Sequence, residues 1–330
     1  MKVGVRVPAS APISHIVGLA RRAEAVGLSH VWFPDSHLNY REVWTVLGAV
    51  AVSTDTIGVS PSVTNLATRH PSVTASAARS LTELCGDRFI LGIGAGDSAI
   101  GHSGLTYSRT SELRAGLMNL RAWMSGAPVG DGQVGLRHRG AVPPIFLAAS
   151  GPRNLQLGGE LADGVVISLP RLAEKRALVA GAAATAGRSD RVEVAVVAMS
   201  LIMADLEQEA MRLGPFVIRT AQVDGTGIFD EAGVTVKVPE HHVGAAGDLG
   251  HPASLTDAVA VASKFVSPEA AVWYARNCTV SGAPADMLST LQRLADSRVD
   301  RVTLSLPVGT PEELIDLLGS EVLPKLTHGG

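Results

Sequence analysis

Residues 57–99 read IGVSPSVTNLATRHPSVTASAARSLTELCGDRFILGIGAGDSA. Ile57 to Val63 is apolar and β-branched, which predicts a strand, and it runs into the polar cluster Ser62-Val63-Thr64-Asn65. Pro71 suits the first turn of a helix, for which Val73, Ala77, Leu81 and Leu84 are the expected core stripe. Phe89 to Ile93 predicts the next strand, and the glycine-rich run GIGAGDSA overlaps its end and follows it. Each polar cluster falls just after a strand, where parallel α/β barrels carry their chemistry.

The same alternation extends outward. Lys2–Val7, His30–Phe33, Ile145–Ala148, Gly164–Ile167, Val192–Met199 and Val302–Leu306 predict further strands. Ile16, Leu19, Ala23 and Val26 recur at helical spacing, and Gly27 closes that helix. Thr310-Pro-Glu-Glu313 reads as a capping box with proline at the first helical position. Eight strands with intervening helices predict an α/β protein, a (β/α)8 barrel of the TIM type, as one domain over residues 1–330. Two stretches break the rhythm. Gly126–Val142 is rich in glycine and proline and predicts an exposed hairpin or loop. Gly214–Gly282 is irregular and glycine-spotted, an insertion between strands 7 and 8 that reads either as a lid or substrate loop or as a helical insertion.

Apolar residues make up 46% and charged residues 18%, so a large core is easily built and apolar surface remains for a subunit contact. A net charge of −3 argues against nucleic-acid or anionic-membrane partners. The start MKVGVRVPASAP lacks the continuous apolar core of a signal peptide, and no run of apolar residues is long enough to span a bilayer. A cytoplasmic location is expected. Cys85 and Cys278 fit neither a disulfide framework nor a metal spacing, and Cys85 reads as a buried structural thiol.

The chemistry-bearing candidates stand at strand ends. Ser62, Val63, Thr64 and Asn65 are expected to present side chains and amides to the barrel mouth. Gly92, Gly94 and Gly96, flanking Ala95, allow close backbone approach to a flat ring or a phosphate. Asp97 reads two ways: as a carboxylate whose pKa burial in the mouth would raise, suiting it as a proton donor, or as a helix N-cap, a role Ser98 also suits. Asp35 ends the second strand, with Ser36 and His37 behind it; His37 is a second candidate acid. Ala148-Ala149-Ser150-Gly151-Pro152 reads as a turn in which Ser150 caps the next helix while free amides face an anion. Arg69-His70, Arg153 and Arg171 are cations near the rim. His241, His242 and His251 lack the spacing of a metal site, and no G-x-S-x-G elbow is present.

The motifs SVTN, RHPSVTA and LTELCGDRFILGIGAGDSA, in this order, resemble the bacterial luciferase-like flavin and deazaflavin oxidoreductases. Within them the chain is most similar to the branch that uses the 5-deazaflavin coenzyme F420, typified by methylenetetrahydromethanopterin reductases. The likeness is strongest over residues 1–170, thin from 170 to 280, and returns around SGAPADMLSTLQRLADSRVDRVTLSLP. It implies a non-proline cis peptide at Ser62–Val63 behind the ring and Asp35 at the ring's edge. It also implies that the 148–152 turn, with Gly164 and Val165, holds the cofactor's side chain. In some members the acid at the place of Asp97 handles a proton. Certain dehydrogenases of the family have histidine directly after the aspartate, where this chain has Ser36, and His37 comes one residue later.

The implied activity is hydride transfer between coenzyme F420 and a C=C, C=N or C=O bond of a small organic molecule, by a homodimer. An FMN-dependent two-component monooxygenase is the alternative, and a non-catalytic flavin-binding barrel is a second one.

Overall fold

The computed structural model describes residues 1–130, 134–138, 140–239, 255–306 and 310–326. Nine strands form: β1 (Lys2–Arg6), β2 (His30–Phe33), β3 (Gly58–Pro61), β4 (Thr64–Asn65), β5 (Leu91–Gly94), β6 (Ile145–Ala148), β7 (Gly164–Ser168), β8 (Glu193–Met199) and β9 (Arg301–Ser305). Their hydrogen-bonded order is β3-β2-β1-β9-β8-β7-β6-β5-β4. The two ends of that order, β3 and β4, are successive pieces of chain, and a parallel bridge joins Val59 to Phe89. The sheet therefore returns on itself, as the sequence predicted for a parallel α/β barrel. The expected third strand, Ile57–Val63, is broken after Pro61 because the Ser62–Val63 peptide is cis. β3 pairs with β2 before the break, and β4 pairs with β5 after it.

Two compact units divide the chain: Met1–Ile167 with Ala173–Val196 and Val299–Thr303, and Ser168–Leu172 with Val197–Arg298 and Leu304–Gly330. The first unit carries helices α1 (Ile13–Ala25), α2 (Val43–Ala51), α3 (Pro71–Cys85), α4 (Ser98–Gly101), α5 (Thr110–Ser125), α6 (Pro152–Leu161) and most of α7 (Leu172–Thr185). Ile16, Leu19 and Ala23 of α1 are buried as the periodicity predicts, and Gly27 takes the left-handed φ of +86° that ends the helix. On α3 the predicted stripe is corrected. Val73 and Leu84 are exposed, and the buried face is Thr74, Ala75, Ala78, Arg79, Leu81, Thr82 and Cys85. Arg79 joins that face because it hydrogen-bonds the carbonyls of Met124 and His138, which satisfies its buried guanidinium. Cys85 is buried, its thiol donating to the Leu81 carbonyl.

In the second unit, α8 (Leu206–Glu209) precedes the expected irregular region, whose described part is mostly helical: α9 (Gly214–Asp224), α10 (Gly227–Glu231), α11 (Leu255–Ala262) and α12 (Pro268–Cys278), with an antiparallel bridge between Val236 and Val266. These helices bury a core of their own, in which Phe229 packs edge-on to Trp273 and stacks on Tyr274. After α13 (Pro284–Asp296), the last helix, α14 (Pro311–Leu317), starts where predicted. Thr310 holds its N-cap position but makes no side-chain cap bond, which corrects the capping box. Of the expected hairpin at 126–142, the described residues include an antiparallel bridge between Val129 and Val134.

At the amino-terminal end of β2, His30 is fully buried. Gly4 leaves the space its ring fills: a Cβ there would lie 2.4 Å from His30 Cδ2. His30 Nε2 meets Thr303 Oγ1 at 2.8 Å, and Nδ1 has no hydrogen-bond partner among the described residues. Burial, with Arg301 and Lys2 nearby, pushes its pKa down from 6.5 to about 3. Between these values the unfolded chain binds a proton that the folded chain does not, so stability falls on acidification through that window and is fully present above it. The slope reaches at most about 1.4 kcal/mol per pH unit. Urea titrations at pH 7 and pH 5 are expected to show this loss in the native protein and a smaller one in His30→Gln. An equal loss in both would remove His30 as its source.

Candidate active site

The site is built at the carboxyl ends of β1 to β6, in the first unit. β2 ends in Phe33-Pro34-Asp35, and Asp35 is buried. Thr64 Oγ1, on β4, donates to Asp35 Oδ2 at 2.6 Å, and Arg69 Nη1 approaches the same oxygen at 3.4 Å. Burial raises the Asp35 pKa above the ordinary carboxylate value; Thr64, Arg69 and His37 oppose that rise and Glu42 adds to it. Arg69 also pairs with Glu42 and lies over the Trp44 ring, 6.0 Å from its centroid. The guanidinium is thereby held in place beside Asp35.

The cis Ser62–Val63 peptide is present, as the resemblance implied. Ser62 is buried, and its N–H donates to the Phe33 carbonyl at 2.6 Å. Its carbonyl accepts from Arg6 Nε at 3.1 Å. Arg6 ends β1. Burial lowers its pKa, while Tyr40 and Asp97 favour its charge. Sequence reading missed Arg6. The available signal was a lone cation at the end of the apolar run VGVRVP, at the place where a barrel strand reaches its mouth.

Asn65 pairs in register with Gly94 across β4 and β5. Its Oδ1 accepts from the Ala67 and Thr68 amides and the Thr68 hydroxyl, which shapes the turn toward α3. Its Nδ2 is buried without a hydrogen-bond partner among the described residues. A Cβ on Gly94 would stand 2.7 Å from Val63 Cγ2 and 3.3 Å from Ala148 Cβ. Glycine is thus required here because Val63 and Ala148 pack directly against the strand. Gly96 has φ +92°, which turns the chain after Ala95 into α4.

Not every predicted residue reaches this cluster in the expected form. Asp97 holds the N-cap position of α4, without a side-chain cap bond, and it is exposed. The burial that was to raise its pKa is found at Asp35 instead. His37 is also exposed and meets Ser103. In the 148–152 turn the N-cap of α6 is Gly151, not Ser150, and no side chain caps it. Ser150, Gly151, Pro152 and Arg153 are exposed there, and Ala149 N–H is spent on the Val166 carbonyl at 3.0 Å. Gly164 and Val165 do not come to the mouth. They open β7 at its amino end, Val165 is fully buried, and a Cβ on Gly164 would strike the Phe146 ring at 2.6 Å. Arg171 pairs with Glu231 within the second unit. His241, His242 and His251 lie outside the described residues, and among the described residues no group of metal-ligating side chains forms. Among those residues no helix is long and apolar enough to cross a membrane.

A model of the luciferase-like monooxygenase family matches residues 1–322, and the chain belongs to that family. It is 30% identical to the 5,10-methylenetetrahydromethanopterin reductase of Archaeoglobus fulgidus, over 99% of this chain and 100% of the relative. It is 29% identical to the reductase of the same name from Methanolobus tindarius, over 98% and 100%. Among solved structures, the coenzyme F420-dependent tetrahydromethanopterin reductase of Methanopyrus kandleri superposes with a TM-score of 0.81 at 22% identity, covering 99% of each chain. A coenzyme F420-dependent secondary alcohol dehydrogenase bound to an F420–acetone adduct superposes with a TM-score of 0.75 at 18% identity, over 99% of this chain and 100% of that one.

Proposed function

We propose that this chain is a coenzyme F420-dependent oxidoreductase acting on a C=O, C=N or C=C bond of a small organic molecule. The observation that carries the reading is the buried Asp35 carboxylate, bonded to Thr64 and Arg69, with the buried Asn65 Nδ2 next to Thr64 on β4 left without a hydrogen-bond partner among the described residues. The names of the relatives at 29–30% identity support the choice of cofactor. The residues fit a ring with a polar rim: Asn65 Nδ2 is a buried donor that a bound group would satisfy, and the buried Asp35 stands near it through Thr64.

When bound, the deazaflavin supplies a hydride-donating or hydride-accepting carbon. The protein's part is positional and electrostatic. Ser62, Val63 and Thr64 back the ring, Asn65 and the Gly94–Gly96 segment flank it, and Asp35 meets its edge. Ala148 lies beside Gly94, and the backbone N–H groups of Arg153 and Asn154 in the first turn of α6, with the Arg153 side chain, receive an anionic side chain. The acid–base pair of the mouth is Asp35 with His37, whose charges interact. Asp97 favours the charge of Arg6, which holds the Ser62 carbonyl.

Two finer points belong to the same reading. The protein works in the cytoplasm, which suits two buried cysteines that form no disulfide. It works as a homodimer, for which Val73 and Leu84 of α3 and Met118 of α5 are exposed apolar side chains. Turnover tests the activity: reduced coenzyme F420 is offered with a panel of ketones, imines and enones under nitrogen. Substrate-dependent return of the oxidised deazaflavin absorbance is the expected result. Absence of turnover with every member, in a protein that binds the coenzyme, leaves the non-catalytic barrel.

A further inference from the structure

Helix α7 departs from the ordinary pattern of a surface helix. It buries Lys175, while Ala173, Ala177, Ala180 and Ala184 share one face and are exposed. Side chains this short leave that face recessed, and it borders a pocket of about 550 Å3 whose floor is Val192 and Val194. The volume is that of a small-molecule site. Every lining residue belongs to the first unit. The pocket reaches the amino-terminal end of β8, whereas the candidate active site stands at carboxyl ends of strands.

The charged part of the lining is three arginines, Arg176, Arg188 and Arg191, against one aspartate, Asp190. The Arg188 side chain is 14% exposed and donates to the carbonyls of Gly159 and Ala162, at 3.1 and 2.6 Å, and to Asp190 at 2.5 Å. Arg191 pairs with Asp300 at 2.9 Å. These two cations are held in place before any ligand arrives, which lowers the ordering cost of binding. Apolar walls with an excess of cations favour a ligand that has a hydrocarbon body and a negative head.

We infer that this pocket binds an amphipathic monocarboxylate, its chain lying along the alanine face over Val192 and Val194 and its carboxylate among the arginines. A second copy of the chain is the other occupant an apolar helix face invites. Two convex helix surfaces in contact would leave a recess of this volume unfilled, against the close packing of stable interfaces. The inference is independent of the oxidoreductase reading.

The test is calorimetric titration of decanoate, below its micelle concentration, into the full-length protein with and without saturating oxidised coenzyme F420. Decanol serves as the neutral control. The expected result is one saturable site, with the same affinity in both samples, at which decanol binds about tenfold more weakly. Ala180→Trp, which fills the recess from an exposed position, is expected to abolish binding, and Arg176→Gln to weaken it about tenfold. Absence of saturable binding overturns the inference, as does equal affinity for decanol. So does native affinity in an Ala180→Trp protein whose thermal melt shows it folded. Displacement of decanoate by the coenzyme would put it in the candidate active site and overturn the inference too. Self-association of the native chain that Ala180→Trp abolishes, without decanoate binding, gives this face to a second copy instead. Failure to bind the coenzyme, with decanoate bound as expected, counts against the oxidoreductase reading alone.

Discussion

Asp35→Asn is expected to lower turnover by about a hundredfold, the usual loss for an acid–base group, with deazaflavin affinity changed by less than about tenfold. The substitution keeps the shape of the side chain and removes its charge. Thr64 Oγ1 and Arg69 both approach Asp35 Oδ2, so the change leaves Arg69 facing a neutral amide in a buried position. Burial raises the Asp35 pKa and Arg69 opposes that rise, so the limb of the pH–rate profile governed by Asp35 has a definite direction. Arg69→Gln is expected to move that limb to higher pH, because the carboxylate loses a cation. Steady-state rates across pH, measured for both variants and the native protein, check the pair. A fully active Asp35→Asn enzyme would move the proton chemistry elsewhere.

Gly94→Val is expected to weaken deazaflavin binding by about tenfold to a hundredfold, the affinity equivalent of the roughly 1–3 kcal/mol that overpacking costs. The first atom added, Cβ, meets Val63 at 2.7 Å and Ala148 at 3.3 Å. Val63 has no long side chain to swing away, so a larger residue at 94 displaces Val63, which is proposed to back the ring. Gly94→Ala is expected to show a smaller loss in the same direction. Fluorescence titration of the coenzyme measures both, and a thermal melt on the same samples separates lost binding from lost fold. Native affinity in a folded Gly94→Val protein would place the ring elsewhere.

Much of the fold was legible because strand and helix periods alternate from Lys2 to Ile167 with one interruption, at Gly126–Val142, and polar clusters mark the strand ends that build the site. The helices of the second unit were less so. Gly214 and Gly225 bracket α9, and α11 is a run of alanine and valine without a polar face, so neither shows a clean amphipathic stripe. Ser267-Pro268-Glu269 did carry a start signal, and Ser267 accepts from the Ala270 amide in the structure. At the site, the residue types were readable but their burial was not. Asp35 and Asp97 look alike in sequence, and only contacts 29 and 34 residues away, from Thr64 and Arg69, distinguish the first from the exposed second. Arg6 went unseen for the same reason, since its partner Ser62 lies 56 residues on. The α3 stripe failed because Arg79, a residue type rarely buried, belongs to the core face.

The most direct measurement is equilibrium binding of oxidised coenzyme F420 and of FMN, titrated in parallel into the purified protein. Micromolar binding of the deazaflavin, with FMN at least a hundredfold weaker, is the predicted result. Preference for FMN would contradict it and bring forward a two-component monooxygenase, whose reduced flavin consumes oxygen.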